Sequence, residues 1–270
     1  MTLFNTRRKA NAALVALGLG AALTAFAPFA SAQSVADIKK KGEITIGMLV
    51  DFPPYGTTNA QNQPDGYDAD VAKLLAKDWG VKANIVPVTG PNRIPFLLTN
   101  KVDVLVASLA VTPERAKQVQ FSRPYSAATI VLYAPKKAAI KTPADLKGQR
   151  VAVARASTQD TALTAIAPEG TEIRRFDDDA SAMQALLSGQ VDAIGCSTTV
   201  AAQIAKRAPA NFEQKLVLRQ QFMAVAMRPG QADLLKAVDS FIDKNTANGE
   251  LNKLYKKWLA TDLPQLPASN

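Results

Sequence analysis

Two α/β units in series, each a central β-sheet flanked by helices, are the fold class this sequence predicts. Three observations predict it. Short β-rich runs alternate with helical stretches between residues 43 and 135, and the same alternation restarts after Pro143. Such alternation marks a parallel sheet covered by helices, because each crossover between parallel strands buries one helical face on the sheet. The third observation is that Cys196 is the only cysteine, so no internal disulfide is available and the core alone must hold the fold. At 270 residues the chain is long enough for that core, in one large domain or two smaller ones.

Residues 1–32 precede the first unit and read as a cleavable secretory leader. Arg7, Arg8 and Lys9 lead into an apolar run from Ala12 to Ala30 that ends in Ala30-Ser31-Ala32, a basic region, a short apolar region and a small-residue peptidase site. Cleavage is expected before Gln33. The run approaches the ~20 residues that span a bilayer, but Pro28 and the Ala-Ser-Ala site favour removal over anchoring. Lys9-Ala10 follows the arginine pair where a twin-arginine signal needs an apolar residue, which points to the general secretory route. No cysteine marks a lipid anchor.

Within the first unit, residues 43–49 read as a strand, followed by a loop rich in Pro, Gly and Asn. Residues 67–79 form a helix with Val71, Leu74, Leu75 and Trp79 on its apolar face, closed by Gly80. A strand at 83–88, a short helix at 94–100 and a strand at 102–107 follow, and Thr112-Pro113 reads as an N-cap and first helical residue. The second unit repeats the scheme: strand 151–154, helix 158–166, strand 171–176, helix 180–187 ended by Gly189, and strand 191–194. Residues 223–227 add one more strand, and helices run from there to the C-terminus.

The formal net charge of +9 falls by three with residues 1–32, and the remaining basic residues are scattered. Scattered charge fits a solvated face or attraction for anionic ligands, and no aromatic–basic interleaving of an RNA-binding sheet is present, so no nucleic acid is expected as partner. The chain has no histidine. That excludes serine or cysteine nucleophiles activated by imidazole and removes the commonest zinc ligand, so neither metal nor cofactor is expected.

Five segments arrive in a fixed order: GEITIGMLVDFPPYG at 42–56, PDGYDADVAKLLA at 64–76, KVDVLVASLAVTPERAKQVQFSRPY at 101–125, DLKGQRVAVARASTQD at 145–160 and NGELNKLYKKWLATDLP at 248–264. Together they resemble the periplasmic polar-amino-acid-binding proteins of ABC importers, the bacterial extracellular solute-binding protein family 3, over essentially all of the chain after residue 32. The resemblance implies a two-lobed periplasmic binding protein fold (type II). Residues 33–125 and 223–270 would form the first lobe, and 126–222 the hinge segments and second lobe, with crossovers near 125–129 and 220–222. It also implies a monomer in the periplasm that closes around a small amino acid or related carboxylate and delivers it to the membrane subunits of an ABC importer.

Carried over residue by residue, the resemblance names the site. Arg115 in TPER falls on the carboxylate-binding segment, where a guanidinium gives two parallel hydrogen bonds; a surface arginine paired with a glutamate is the plainer alternative. Ser108 and Ala110 present backbone to the ligand, Ala110 standing where the family usually has Ser or Thr. Ser157 and Thr158 lie at a helix N-terminus, which binds anions through exposed N–H groups and equally suits simple capping. Arg155 is placed to meet a distal polar or acidic end, or else solvent. Phe52 corresponds to the aromatic residue packed on the ligand's aliphatic part, with core packing as the alternative, and Asp51 is a candidate for an ammonium or a turn former.

Two departures stand out. Ser197, in VDAIGCST, occupies the position where many members place an aspartate for the α-ammonium, and Gly90 replaces the second aromatic of the ligand cage. Either Asp51 substitutes for the missing carboxylate or the ligand lacks an α-ammonium; Asn92 and Arg93 would suit a second acidic group. Cys196 is expected as a small buried filler. The alternative function class is an enzyme resembling cyclohexadienyl dehydratase, whose chemistry needs a general acid. VDAIGCSTT offers Ser197, Thr198 and Thr199 but no carboxylate after Asp192, which belongs to the surface end of its strand. A receptor's sensor domain would need a membrane-spanning segment after the module, and none precedes Asn270.

Overall fold

The structure is a computed structural model that describes residues 34–267, and the expected leader with its cleavage site lies outside them. In chain order the elements are α1 (Val35–Lys41), β1 (Glu43–Leu49), β2 (Thr57–Thr58), β3 (Pro64–Asp65), α2 (Tyr67–Trp79), β4 (Lys82–Val88), α3 (Arg93–Leu98), β5 (Val104–Leu105), α4 (Pro113–Ala116) and β6 (Gln120–Pro135). A short 3-10 turn, Pro143–Leu146, leads into β7 (Arg150–Ala154), α5 (Thr158–Ile166), β8 (Glu172–Phe176), α6 (Asp179–Leu187), β9 (Ala193–Ser197), α7 (Thr198–Arg207), β10 (Phe212–Met227), α8 (Ala232–Ala247) and α9 (Glu250–Leu259).

One sheet in the order β4-β1-β5-β10-β6-β9-β7-β8 runs through the molecule. Its ends are two parallel triplets of the same design. β1 lies between β4 and β5, and β7 between β8 and β9, so each unit places its first strand in the middle. In such an order the chain leaves the central strand to one side and later returns on the other. The loops after the first and third strands then part and leave a crevice at their carboxyl ends. Topology alone therefore marks the ends of β1 and β5, and of β7 and β9, as places for a ligand. The antiparallel pair β6 and β10, registered from Phe212 opposite Pro135 to Met227 opposite Gln120, joins the triplets.

Packing follows the apolar periodicity. Val71, Ala72, Leu75 and Trp79 bury one face of α2, and Ile44, Ile46 and Met48 fill β1. Gly47 is needed between them, because a Cβ there would stand 2.7 Å from Leu105 Cδ2. Lys77 lies in the last turn of α2, and Gly80 in the left-handed region ends it.

Several elements differ from the sequence expectations. The strand expected at 102–107 narrows to β5 because Ser108 turns the chain at φ 48, although the Val106 N–H still donates to Gly47 O at 3.1 Å. The strand expected at 191–194 starts later and includes Cys196 and Ser197. The expected strand at 223–227 is the end of β10, and the segments near 125–129 and 220–222 lie within the long strands β6 and β10. α1 and α7 were not anticipated. Among the described residues no helix is long and apolar enough to cross a membrane.

Candidate functional site

The crevices of the two triplets meet in one cavity lined by Leu49, Phe52, Arg93, Ser108, Ala110, Arg115, Ser157, Thr158, Gln159 and Asp179. Leu49 and Phe52 come from the end of β1, Ser108 and Ala110 from the end of β5, and Ser157 to Gln159 from the turn between β7 and α5. Seven of the residues singled out from the sequence are thus brought together: Phe52, Arg93, Ser108, Ala110, Arg115, Ser157 and Thr158. Both strand-end turns hold a non-glycine residue at positive φ, Ser108 at 48° and Ala156 at 56°. Conformations of this kind cost energy and persist where the surroundings fix them.

Ser108 is fixed by a buried network. Its hydroxyl donates to Asp68 Oδ2 at 2.6 Å, its N–H donates to the Tyr125 hydroxyl at 3.1 Å, and that hydroxyl donates to Asp68 Oδ1 at 2.8 Å. Across the cavity, Ser157 caps α5 by accepting from the Asp160 N–H at 3.1 Å. The Thr158 hydroxyl donates to Gln221 on β10. The first backbone N–H groups of α5 have no partner within the helix, as at any helix start, and Ser157, Thr158 and Gln159 at that end line the cavity.

Two guanidinium groups dominate the charge on the first wall. Arg115 donates to the carbonyls of Ala110 at 2.9 Å and Ala156 at 3.1 Å, the second bond reaching from the first triplet to the second. Burial and repulsion from Arg93 and Arg219 lower its pKa to about 9. Arg93 donates to the carbonyls of Ala107 at 3.0 Å and Gly90 at 3.2 Å, and burial lowers its pKa as well. Neither forms an ion pair among the described residues. Crowded guanidinium groups without an ion pair suit an anion, although the charges of Asp179 and Asp51 act on Arg93 from a distance.

Comparison with known proteins agrees in extent as well as in fold. The family described as bacterial extracellular solute-binding proteins, family 3, matches over residues 44–261. This chain belongs to that family. The L-cystine-binding protein TcyJ of Escherichia coli is 29% identical over 266 residues, covering 97% of this chain and 99% of its own. The glutamine-binding protein GlnH of Bacillus subtilis is 32% identical over 238 residues, 85% of this chain and 86% of its own. Among solved structures, the ancestral amino acid-binding protein AncCDT-1, a precursor of cyclohexadienyl dehydratase, superposes with a TM-score of 0.77 at 35% identity, covering 83% of this chain and 98% of its own. The fold is the two-lobed type II fold of periplasmic binding proteins.

Three of the expected site residues do not line the cavity. Ser197 is fully buried; it caps α7, accepting from the Val200 N–H at 3.3 Å, and its hydroxyl is 2.7 Å from Thr199 Oγ1. Arg155 is exposed and turns away, with Nε 3.5 Å from Asp177 and Nη2 donating to the Arg175 carbonyl at 3.2 Å. Asp51 stands beside the cavity and raises the pKa of Asp179 through its charge. Gly90 gains a reason: a Cβ there would lie 3.2 Å from the Arg155 carbonyl at the end of β7. Cys196 is buried, as a filler would be. Asp192 accepts from the backbone N–H and guanidinium of Arg150, at the start of β9.

Sequence reasoning missed Leu49, Gln159 and above all Asp179. Asp179 is the first residue of α6, and its Oδ1 accepts from Gln159 Nε2 at 3.0 Å. Burial and the Asp51 charge raise its pKa to about 7. The run Asp177-Asp178-Asp179 reads locally as a helix cap, and Asp178 does cap α6, accepting from the Ser181 N–H at 2.6 Å. Nothing in the local pattern separates the capping aspartate from its neighbour.

Proposed function

We propose that this chain captures a small amino acid or related carboxylate in the periplasm, closes its lobes around it and delivers it to the membrane subunits of an ABC importer. Residues 33–125 with 223–270 form one lobe, and 126–222 hold the hinge segments and the second, β6 and β10 being the crossovers. The family membership supports the class of activity, and TcyJ and GlnH bear the names of amino-acid-binding proteins. The observation that carries the reading is Arg115, an unpaired guanidinium in an interlobe cavity beside Phe52, Ser108, Ser157 and Thr158. A carboxylate there takes two parallel bonds from Arg115 and relieves the repulsion from Arg93 and Arg219. Phe52, 6% exposed, offers the apolar surface.

The test is thermal unfolding of protein stripped of carried-over ligand by unfolding and refolding. Saturation at 1,000 times the dissociation constant adds about 4 kcal/mol, on the order of 10 °C for a chain of this size. Amino acids or small carboxylates are expected to produce that shift, and Arg115→Ala to remove it. No shift from any of them would sink the reading.

A second reading, turnover of a cyclohexadienyl substrate, is favoured by one observation. Asp179 places in the cavity a carboxyl group raised to about 7, the general acid that the stretch around Ser197 lacks. AncCDT-1, itself titled an amino acid-binding protein and a precursor of cyclohexadienyl dehydratase, is similar to this chain and stands on the binding side of that step. Incubation with prephenate decides between them: the binding reading expects no phenylpyruvate, and sustained release would replace it.

A further inference from the structure

We infer that Asp179 receives the ligand's ammonium, so that the site selects molecules carrying both a carboxylate and an ammonium although Ser197 stands where the family usually has its aspartate. The inference rests on the binding reading above and names the group that sets its specificity. Ser197 cannot serve: it is fully buried, lies off the cavity and spends its hydroxyl on Thr199 and Val200. Asp179 lines the cavity, and capping of α6 is done by Asp178. Only one of its oxygens is engaged. Oδ1 is held by Gln159, itself 4% exposed, while Oδ2 has no hydrogen-bond partner among the described residues.

The charges around it complete the argument. Arg93 and Arg115 stand on the first lobe's wall, and Asp179 stands on the second lobe's wall. A zwitterion spanning the cavity meets a cation-rich wall with its carboxylate and a carboxylate with its ammonium. One small molecule thereby ties the lobes together at two charges. A desamino carboxylate satisfies Arg115 and leaves Asp179 unused.

Protonation adds a signature. The groups that act on Asp179 are Asp51 at the end of β1, Asp178 on its own helix, Arg93 on α3 and Gln159 on α5; burial and Asp51 raise its pKa to about 7. Below that pH the free protein carries Asp179 protonated, and an ammonium must first expel the proton. Affinity for an α-amino acid then falls as pH drops from 8 to 6, approaching about tenfold per pH unit, while affinity for the desamino compound does not fall.

The experiment is titration calorimetry on the refolded mature protein with L-cystine, L-glutamine and the other protein amino acids, each binder paired with its desamino carboxylate, such as dithiodipropionate or glutaramate. For every binder, Asp179→Asn is expected to weaken the amino acid by about tenfold or more, to erase the fall in its affinity at low pH and not to weaken the desamino compound. Equal binding of the amino acid by wild type and Asp179→Asn overturns the inference while leaving the binding reading intact. Silence from the whole panel overturns both. If Asp179→Asn does not fold, the wild-type pH profile decides, and a flat profile overturns the inference. Asp51→Asn supplies a second check, because removing the neighbouring charge is expected to move the midpoint of that profile to lower pH; an unmoved midpoint counts against Asp179 as the titrating group.

Discussion

Asp68 is fully buried and never reaches the cavity, yet it holds in place the backbone that does. Burial raises its pKa to about 6, with the hydroxyls of Ser108 and Tyr125 pulling the other way. A carboxyl whose folded pKa lies above its unfolded value favours the folded state when protonated. Its contribution is therefore largest below the unfolded value and is lost as pH rises through the folded one. Asp179 behaves alike with its pKa near 7, and Asp51 is raised in the same direction. Ligand-free protein is thus expected to melt at a higher temperature at pH 5 than at pH 8, by on the order of 5 °C. Asp68→Asn is expected to shrink that difference, as a scan of melting temperature against pH would read; a difference unchanged in Asp68→Asn would remove Asp68 as its source. At this scale the sequence was legible where a residue's role follows from its own motif, as for Arg115 and Ser157. It was not legible where the role depends on a neighbour across the cavity: Asp179 looks like a cap until the fold sets it opposite Arg93 and Arg115.

Helix α5 shows an element serving two ends. Ser157 accepts from the Asp160 N–H and donates to the Ala154 carbonyl at 2.5 Å, so it ends β7 and starts the helix in one residue. Ser157→Ala is expected to cost about 1 kcal/mol of stability, a fall of roughly 2–4 °C in melting temperature. Because Ser157 also lines the cavity, a second loss should appear in ligand affinity measured by calorimetry. An unchanged melting temperature would show that the cap is replaceable. The parallel triplets were readable because their buried strands and amphipathic helices keep one periodicity each, as α2 does through Val71, Leu75 and Trp79. The full length of β6 and β10 was not. β6 contains Pro124 and is buried on both faces from Ile130 to Ala134, and β10 carries bulges between Gln214 and Leu216 and between Val217 and Arg219, so neither presents an unbroken alternation.

For the whole molecule, the decisive quantity is the balance between open and closed lobes, since a ligand promotes closure only by binding the closed arrangement more tightly. The two parallel triplets are in contact: Arg115 reaches the Ala156 carbonyl, and Gly90 lies against the Arg155 carbonyl. The Gly90 contact explains how a residue can be lost from an aromatic cage yet favour closure. With no side chain at 90, the backbone of the second lobe approaches to where a Cβ would already be tight at 3.2 Å, and backbone cannot yield as a flexible side chain can. Gly90→Phe therefore places a wedge in the closed interface while leaving Arg115 and Asp179 in place. The wedge is expected to weaken binding of an amino acid by about tenfold or more, since an overpacked contact costs roughly 1–3 kcal/mol. It should also keep the radius of gyration in small-angle scattering above that of the liganded wild type at the same ligand concentration. If Gly90→Phe instead binds more tightly and compacts fully, the ring has found a place against the ligand, and the closed interface has slack that the Arg155 carbonyl contact does not show.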